Sequence, residues 1–168
     1  QYLELATMLE KEFGRLDGLL HNAALLGTLT PLDQYDLKQW AQLMQVNLHA
    51  PYLLTRAMLP LLRNSKDASV LFTSSSVGRK GRAYWGAYGI TKAACENMME
   101  IWADELEANT PIRVNSIDPG AVRTAMRAKA YPGEDPNTLL RPEEIMAVYL
   151  YLMGPDSRGT TGQRTSAQ

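Results

Sequence analysis

Three short strand-like segments, each ending in small or turn-forming residues, constrain this chain more than anything else in it. Leu16–His21 opens into Asn22-Ala23-Ala24, Ser69–Thr73 into Ser74-Ser75-Ser76, and Ile112–Ile117 into Asp118-Pro119-Gly120. Leu16–His21 and Ser69–Thr73 read as short buried strands, as parallel sheets require, and Ile112–Ile117 as a third strand. The segments between them follow a helical period. Tyr2–Phe13 places Leu3, Leu5, Ala6, Leu9 and Phe13 on an expected inward face and is closed by Gly14. Residues 25–34 read as a loop. Asp36 is then suited to cap a helix through Trp40, Leu43, Met44 and Val46 to Leu62, with kinks or boundaries expected at Pro51 and Pro60.

A further helix is predicted over about residues 87–108, where Ile90, Ala94, Met98, Ile101 and Trp102 share a face opposite Glu96, Glu100, Asp104 and Glu107. The last begins near Pro142, carries Glu143 and Glu144 at its positive end, and stops at Gly154-Pro155. Strands alternating with helices predict one α/β domain over residues 1–168, a doubly wound parallel sheet in three α/β/α layers. In such a sheet ligands bind outside the carboxyl ends of the strands. The three strand-end segments are therefore expected to line one crevice, although they are far apart in sequence.

Ser75, Tyr88 and Lys92 belong to that crevice, at the spacing Ser-x12-Tyr-x3-Lys. A tyrosine four residues before a lysine shares a helix face with it, with Cβ atoms about 5–6 Å apart, so a phenol and an ammonium can act on one proton. An ammonium about 4 Å from a phenol, at an effective dielectric near 20, favours the phenolate by about 4 kcal/mol. That equals about three pKa units, enough to bring a phenol from about 10 toward neutrality. Burial opposes the shift, but the spacing predicts a tyrosine with a lowered pKa. Tyr84, which has Tyr88 rather than lysine four residues on, is expected to form a pocket wall.

Charge and composition remove several functional classes. Seventeen Lys and Arg against 18 Asp and Glu leave a formal charge of −1, which gives no global attraction to nucleic acid or an anionic membrane. No apolar run approaches the roughly 18 residues of a membrane span. The single cysteine, Cys95, excludes an internal disulfide and a cysteine metal cluster, and suits a reducing cytoplasm. His21 and His49 are too few and too separated for a metal site. His21 is expected to be packed at its strand end, and His49 to point away from Asn47, about 200° around the helix. Arg79, Lys80 and Arg82, with Arg123, Arg127 and Lys129, border the expected pocket mouth, either as a solvated rim or as a site for an anionic substrate.

With these residues in view, the chain resembles the short-chain dehydrogenase/reductase family over nearly its whole length. Leu16-Asp17-Gly18-Leu19-Leu20-His21-Asn22-Ala23-Ala24 is similar to the family's LDxLVNNAG, and Val46-Asn47-Leu48 to its helix asparagine motif. Phe72-Thr73-Ser74-Ser75 resembles the strand that carries the catalytic serine, and Tyr88-Gly89-Ile90-Thr91-Lys92 resembles YxxxK. The stretch from Val114 to Thr124 resembles VNxIxPGxVxT. The Phe-Thr-Ser-Ser-Ser run and the closing Ala167-Gln168 are further similar to one bacterial branch of the family.

The resemblance implies a Rossmann-type fold and an NAD(P)-dependent oxidoreductase that interconverts a carbonyl and an alcohol, with NADP slightly favoured over NAD. It implies Ser75, Tyr88, Lys92 and Asn47 as catalytic residues: Ser75 bonds the substrate oxygen, Tyr88 transfers the proton, Lys92 lowers the tyrosine pKa and holds the ribose, and Asn47 links Lys92 to solvent through a water. Asn22, Ala23, Ala24, Pro119, Gly120, Val122 and Thr124, with Tyr88 and Lys92, are implied to contact the cofactor. Family members commonly pair two helices, here about residues 48–62 and 87–108, so a homodimer or homotetramer is implied. The apolar surplus counted toward it is Leu53, Leu54, Met58, Leu59, Leu62, Met98, Met99 and Trp102.

Two departures stand out. The family's TGxxxGxG fingerprint is absent, so the first strands and the glycine-rich pyrophosphate loop are expected to lie upstream of Gln1, and the piece alone is expected to bind dinucleotide poorly. Ala24 stands at the glycine of NNAG, and His21 at its first asparagine. A binding or regulatory module on the same fold, and an epimerase or dehydratase using YxxxK, remain the alternatives.

Overall fold

A computed structural model describes residues 1–168. Its centre is a sheet of four parallel strands in the order β1-β2-β3-β4, formed by Gly18–His21, Ser69–Thr73, Arg113–Asp118 and Arg164–Ser166. The first three are the strand segments seen in the sequence. The fourth, Arg-Thr-Ser, has no apolar signal, and is recruited through backbone pairing of Ser116–Asp118 with Arg164–Ser166.

Successive strand residues face opposite sides, and each side finds a different helix layer. Val70, Phe72 and Val114 pack against α3 (Ala50–Arg63) and α5 (Gly86–Glu107), where Met58, Leu62, Met99 and Leu106 are almost fully buried with them. Leu71 and Ile117 face the other way, onto Tyr149 and Leu152 of α7 (Met146–Met153). Trimming Phe72 to alanine would remove the largest of these side chains, at about 3–5 kcal/mol.

The first helix, α1 (Tyr2–Phe13), corrects an expectation. Leu3, Leu5 and Phe13 are 73%, 42% and 67% exposed, and only Ala6 and Leu9 reach the core. The helix lies against α3 rather than the sheet, so a narrow stripe suffices. Met58, Leu62 and Met99 also lie in the chain's own core, not on an outer surface free to pair with a second copy.

Asp36 caps α2 (Leu37–Met44) by accepting from the Gln39 amide at 2.7 Å. The break expected at Pro51 takes the form of a π turn, Gln45–His49, between α2 and α3. Proline has no N–H, and its ring crowds the carbonyl four residues back, which here belongs to Asn47. That carbonyl accepts instead from the Cys95 thiol at 3.1 Å. The short helices α4 (Ser76–Arg79) and α6 (Ala125–Ala130) follow β2 and β3 beyond the carboxyl ends of the sheet.

Candidate active site

The three strand ends do meet. A cavity of about 630 Å³ opens at the carboxyl edge, lined by Asn22 and Ala24 after β1, Ser75 after β2, and Pro119, Gly120, Val122 and Thr124 after β3. Tyr88 and Lys92 enter it from the first turns of α5. Ala23 and Asn47, also expected at the site, are outside the lining. Ala23 is exposed, whereas Asn47 lies behind the wall and is 2% exposed.

Asn47 holds the loop after β1. Its Oδ1 accepts from the Leu25 amide and its Nδ2 donates to the Leu25 carbonyl, both at 2.8 Å, with a further bond from Nδ2 to Thr91 Oγ1 at 3.2 Å. Both Nδ2 hydrogens are engaged, so the side chain anchors this loop.

Lys92 is 5% exposed and its Nζ donates to the Thr73 carbonyl at 2.6 Å, 5.7 Å from the centre of the Tyr88 ring. Burial pushes its pKa below the usual range, with Cys95 and Glu96 opposing. Tyr88 departs from the sequence expectation. Burial pushes the phenol up to about 12, a Ser75 hydrogen bond pulls the other way, and the Asp118 carboxylate adds to the rise. The ammonium that was to lower it is turned onto a strand carbonyl, so desolvation wins. The phenol therefore keeps its proton at neutral pH.

Glu96, one helical turn past Lys92 and 1% exposed, fixes the geometry around this pair. It accepts from Ser116 Oγ at 2.8 Å and pairs with Arg164 at 3.2 Å and Arg79 at 3.7 Å, joining α5 to β3, β4 and α4. Because α4 directly follows Ser75, this contact ties the serine turn to the tyrosine helix.

At the third strand end, Gly120 has φ +72°, a conformation that favours glycine, and a Cβ there would collide with Gln168. The Gln168 amide closes over the turn, donating to the carbonyls of Pro119 at 2.8 Å and Ala121 at 3.2 Å.

Four residues that the sequence did not single out also shape the site. Thr73 Oγ1 donates to Asn22 Oδ1 at 3.0 Å and lies 3.3 Å from the Tyr149 hydroxyl, forming a polar chain across the crevice. Trp85 and Tyr131 form an aromatic wall beyond Tyr88. Tyr84, the expected wall, is 60% exposed and does not line this cavity. Only the topology reveals these neighbours, because their partners are far away in sequence.

Of the two histidines, only His21 is packed. His21 sits on Phe72 with ring centres 4.7 Å apart and pairs Nε2 with Thr55 Oγ1 at 2.8 Å. Burial, with Lys92 nearby, lowers its pKa to about 4. His49 is exposed beside Gln45. No group of three His, Cys, Asp or Glu side chains could hold a metal ion, and no helix is long and apolar enough to cross a membrane.

Known proteins share this arrangement. A family model described as Enoyl-(Acyl carrier protein) reductase matches residues 1–167. The oxidoreductase YciK of Escherichia coli is 52% identical over 165 residues, covering 98% of this chain and 65% of that protein. A short chain dehydrogenase from Pseudomonas syringae superimposes with a TM-score of 0.98 at 61% identity, covering 100% of this chain and 68% of its own. One from Shigella flexneri, described as complexed with NADP, gives 0.96 at 50% identity, covering 99% and 69%. The chain thus spans about two thirds of the length of these relatives. The parallel sheet, the motifs at its carboxyl edge and these matches place the chain in the short-chain dehydrogenase/reductase family, close to its YciK-like members.

Proposed function

We propose that the intact protein reduces a carbonyl compound, or oxidises the corresponding alcohol, with a nicotinamide dinucleotide. The observation that carries this proposal is the buried, protonated Tyr88 phenol beside Ser75 in a cavity floored by three strand ends. With its pKa pushed up to about 12, Tyr88 is a proton donor at neutral pH, as carbonyl reduction requires. Ser75 holds the substrate oxygen against it.

The residues fit a dinucleotide. Lys92 has three N–H donors and uses one on Thr73, which leaves two for ribose hydroxyls. Ala24 and Gly120 keep the floor low, and the Gly120 turn requires the absence of a side chain. Pro119, Gly120, Val122 and Thr124 would hold the nicotinamide end, with Asn22 and Ala24 against the adenine-side ribose and backbone. When bound, the cofactor supplies the hydride. NADP is favoured over NAD, supported by the relative described as complexed with NADP.

A homodimer or homotetramer through α3 and α5 has support in Tyr52, Ile90 and Ile101, which are 42%, 43% and 51% exposed on those helices. Light scattering of the intact protein tests assembly, and a monomeric mass rejects it. For the activity, the intact protein is mixed with NADPH or NADH and a panel of ketones. NADPH oxidation that depends on ketone is expected; no oxidation of either cofactor, and no reduction of either with alcohols, rejects the proposal.

A further inference from the structure

The cavity in front of Tyr88 has a second wall that proton transfer does not use. Trp85 sits at the start of α5, its ring centre 5.8 Å from Tyr88 on one side and 5.9 Å from Tyr131 on the other. Met126 and Leu26 complete the wall. The turn that aims Trp85 is strained: Tyr84, just before it, has φ +72°, the only non-glycine residue with positive φ. A bulky residue rarely adopts that conformation, so the surroundings hold Trp85 where a relaxed turn would not.

Charge at this wall is already neutralised. Apart from Lys92, Arg127 is the only cation lining the cavity. Its Nε and Nη2 donate to the two Glu134 oxygens at 2.6 Å each, and its guanidinium lies 3.8 Å from the centre of the Tyr131 ring. Arg82 is turned outward to donate to the Tyr131 hydroxyl at 2.9 Å, and Arg79 is bound to Glu96 and the Thr165 carbonyl. The Asp118 carboxylate lines the same cavity. An anion reaching Tyr88 would therefore meet the Asp118 carboxylate, and the only cation there without a carboxylate partner is Lys92, which is buried and bonded to the Thr73 carbonyl. Of the six basic loop residues that the sequence places near the pocket mouth, Arg127 alone lines the cavity, and its charge is engaged by Glu134.

We propose that the Trp85–Tyr131 wall is the substrate subsite and that it takes uncharged aryl ketones and the matching alcohols. The ring lies against Trp85 and Tyr131, where offset aromatic contacts are favourable, and the carbonyl points to Ser75 and Tyr88. This rests on the oxidoreductase function proposed above. In the reducing direction the carbonyl carbon gains a hydride and its oxygen gains the Tyr88 proton, giving the alcohol. NADPH is oxidised to NADP⁺, and the phenolate regains a proton from solvent.

The test uses the intact protein with NADPH and three probes: ethyl benzoylformate, benzoylformate and ethyl pyruvate. Each kcat/KM is divided by the rate of borohydride reduction of the same ketone, which removes intrinsic reactivity. The aryl ester is expected to exceed the aryl acid on the order of 100-fold, and to exceed ethyl pyruvate by about 10-fold. Trp85→Ala should lower the aryl ester's value about 10-fold more than that of ethyl pyruvate. Saturation-transfer NMR on the aryl ester should show magnetisation passing from the protein to the ester's ring protons, and this ring signal should vanish in Trp85→Ala.

Turnover of the acid equal to that of the ester, or an aryl preference that survives Trp85→Ala, overturns the subsite and leaves the oxidoreductase function standing. A ring signal that vanishes in Trp85→Ala, without turnover of any probe, keeps the subsite and rejects the function. Neither ring signal nor turnover rejects both.

Discussion

At the amino ends of β2 and β3, Arg113 is 5% exposed and held on several sides. Its Nη1 donates to the Leu152 carbonyl at 3.2 Å and to Ser157, and its Nη2 donates to Asp67 at 2.9 Å. Arg158 binds the other Asp67 oxygen at 2.9 Å. At the carboxyl ends of the same strands, the Ser74 hydroxyl is buried without a partner, the Tyr88 phenol is held far from its ordinary pKa, and His21 is kept neutral. One end of the sheet pairs its buried charge with a carboxylate, although Arg113 Nε has no partner. The other leaves polar groups incompletely matched, which is where a bound substrate or cofactor gains its interactions.

Substitutions at the two ends should therefore separate stability from turnover. Tyr88→Phe should lower turnover by about 10²–10⁴-fold and leave the urea midpoint within error; steady-state kinetics that match the unaltered protein would remove Tyr88 from the mechanism. Arg113→Met should do the reverse. Removing one partner of a buried pair costs about 3 kcal/mol, reduced by whatever Arg158 retains on Asp67, and urea unfolding measures it. A change in the aryl-to-alkyl substrate ratio in that variant would break the division between the ends.

The site end also carries a pH dependence. His21 has a pKa near 4 when folded and about 6.5 in an unfolded chain. Above pH 6.5 both states are neutral and nothing is lost. As pH falls toward 4 the unfolded chain takes up a proton that the folded chain refuses, so stability drops by up to about 3 kcal/mol. His21→Gln, which can still bond Thr55, should flatten this slope in urea unfolding between pH 7 and 4.5. The smallest effect belongs to Tyr149→Phe. Removing its hydroxyl, 3.3 Å from Thr73 Oγ1, should weaken NADPH binding by no more than about 1 kcal/mol, read by fluorescence titration.

Much of this was legible in the sequence, for identifiable reasons. β2 is a nearly uninterrupted apolar run buried on both faces, whereas β1 and β3 were found from short apolar stretches that end in turn-forming residues. Ser75, Tyr88 and Lys92 could be found because strand end and helical spacing are local properties. β4 was hidden because it has no apolar run and is held by backbone pairing and by Arg164 on Glu96, with Arg164 and Ser166 exposed. The direction of the Tyr88 shift was hidden too, since it turns on which acceptor the Lys92 ammonium meets, and the Thr73 carbonyl lies nineteen residues away. Trp85 and Tyr131 carry no motif; only folding brings them together.

The π turn at Gln45–His49 has one more effect. A regular helix advances 100° per residue, so one extra residue in a turn rotates everything after it by about that angle relative to everything before. Leu43, ahead of the turn, points into the cluster with Leu26 and Tyr88, while Met58 and Leu62, after it, point at the sheet. Without the offset, a rod aligned for one cluster would be misaligned for the other. Pro51, outside the cavity, thereby serves as an angular spacer: Pro51→Ala would let the helix rewind and swing Asn47 off the Leu25 backbone it holds.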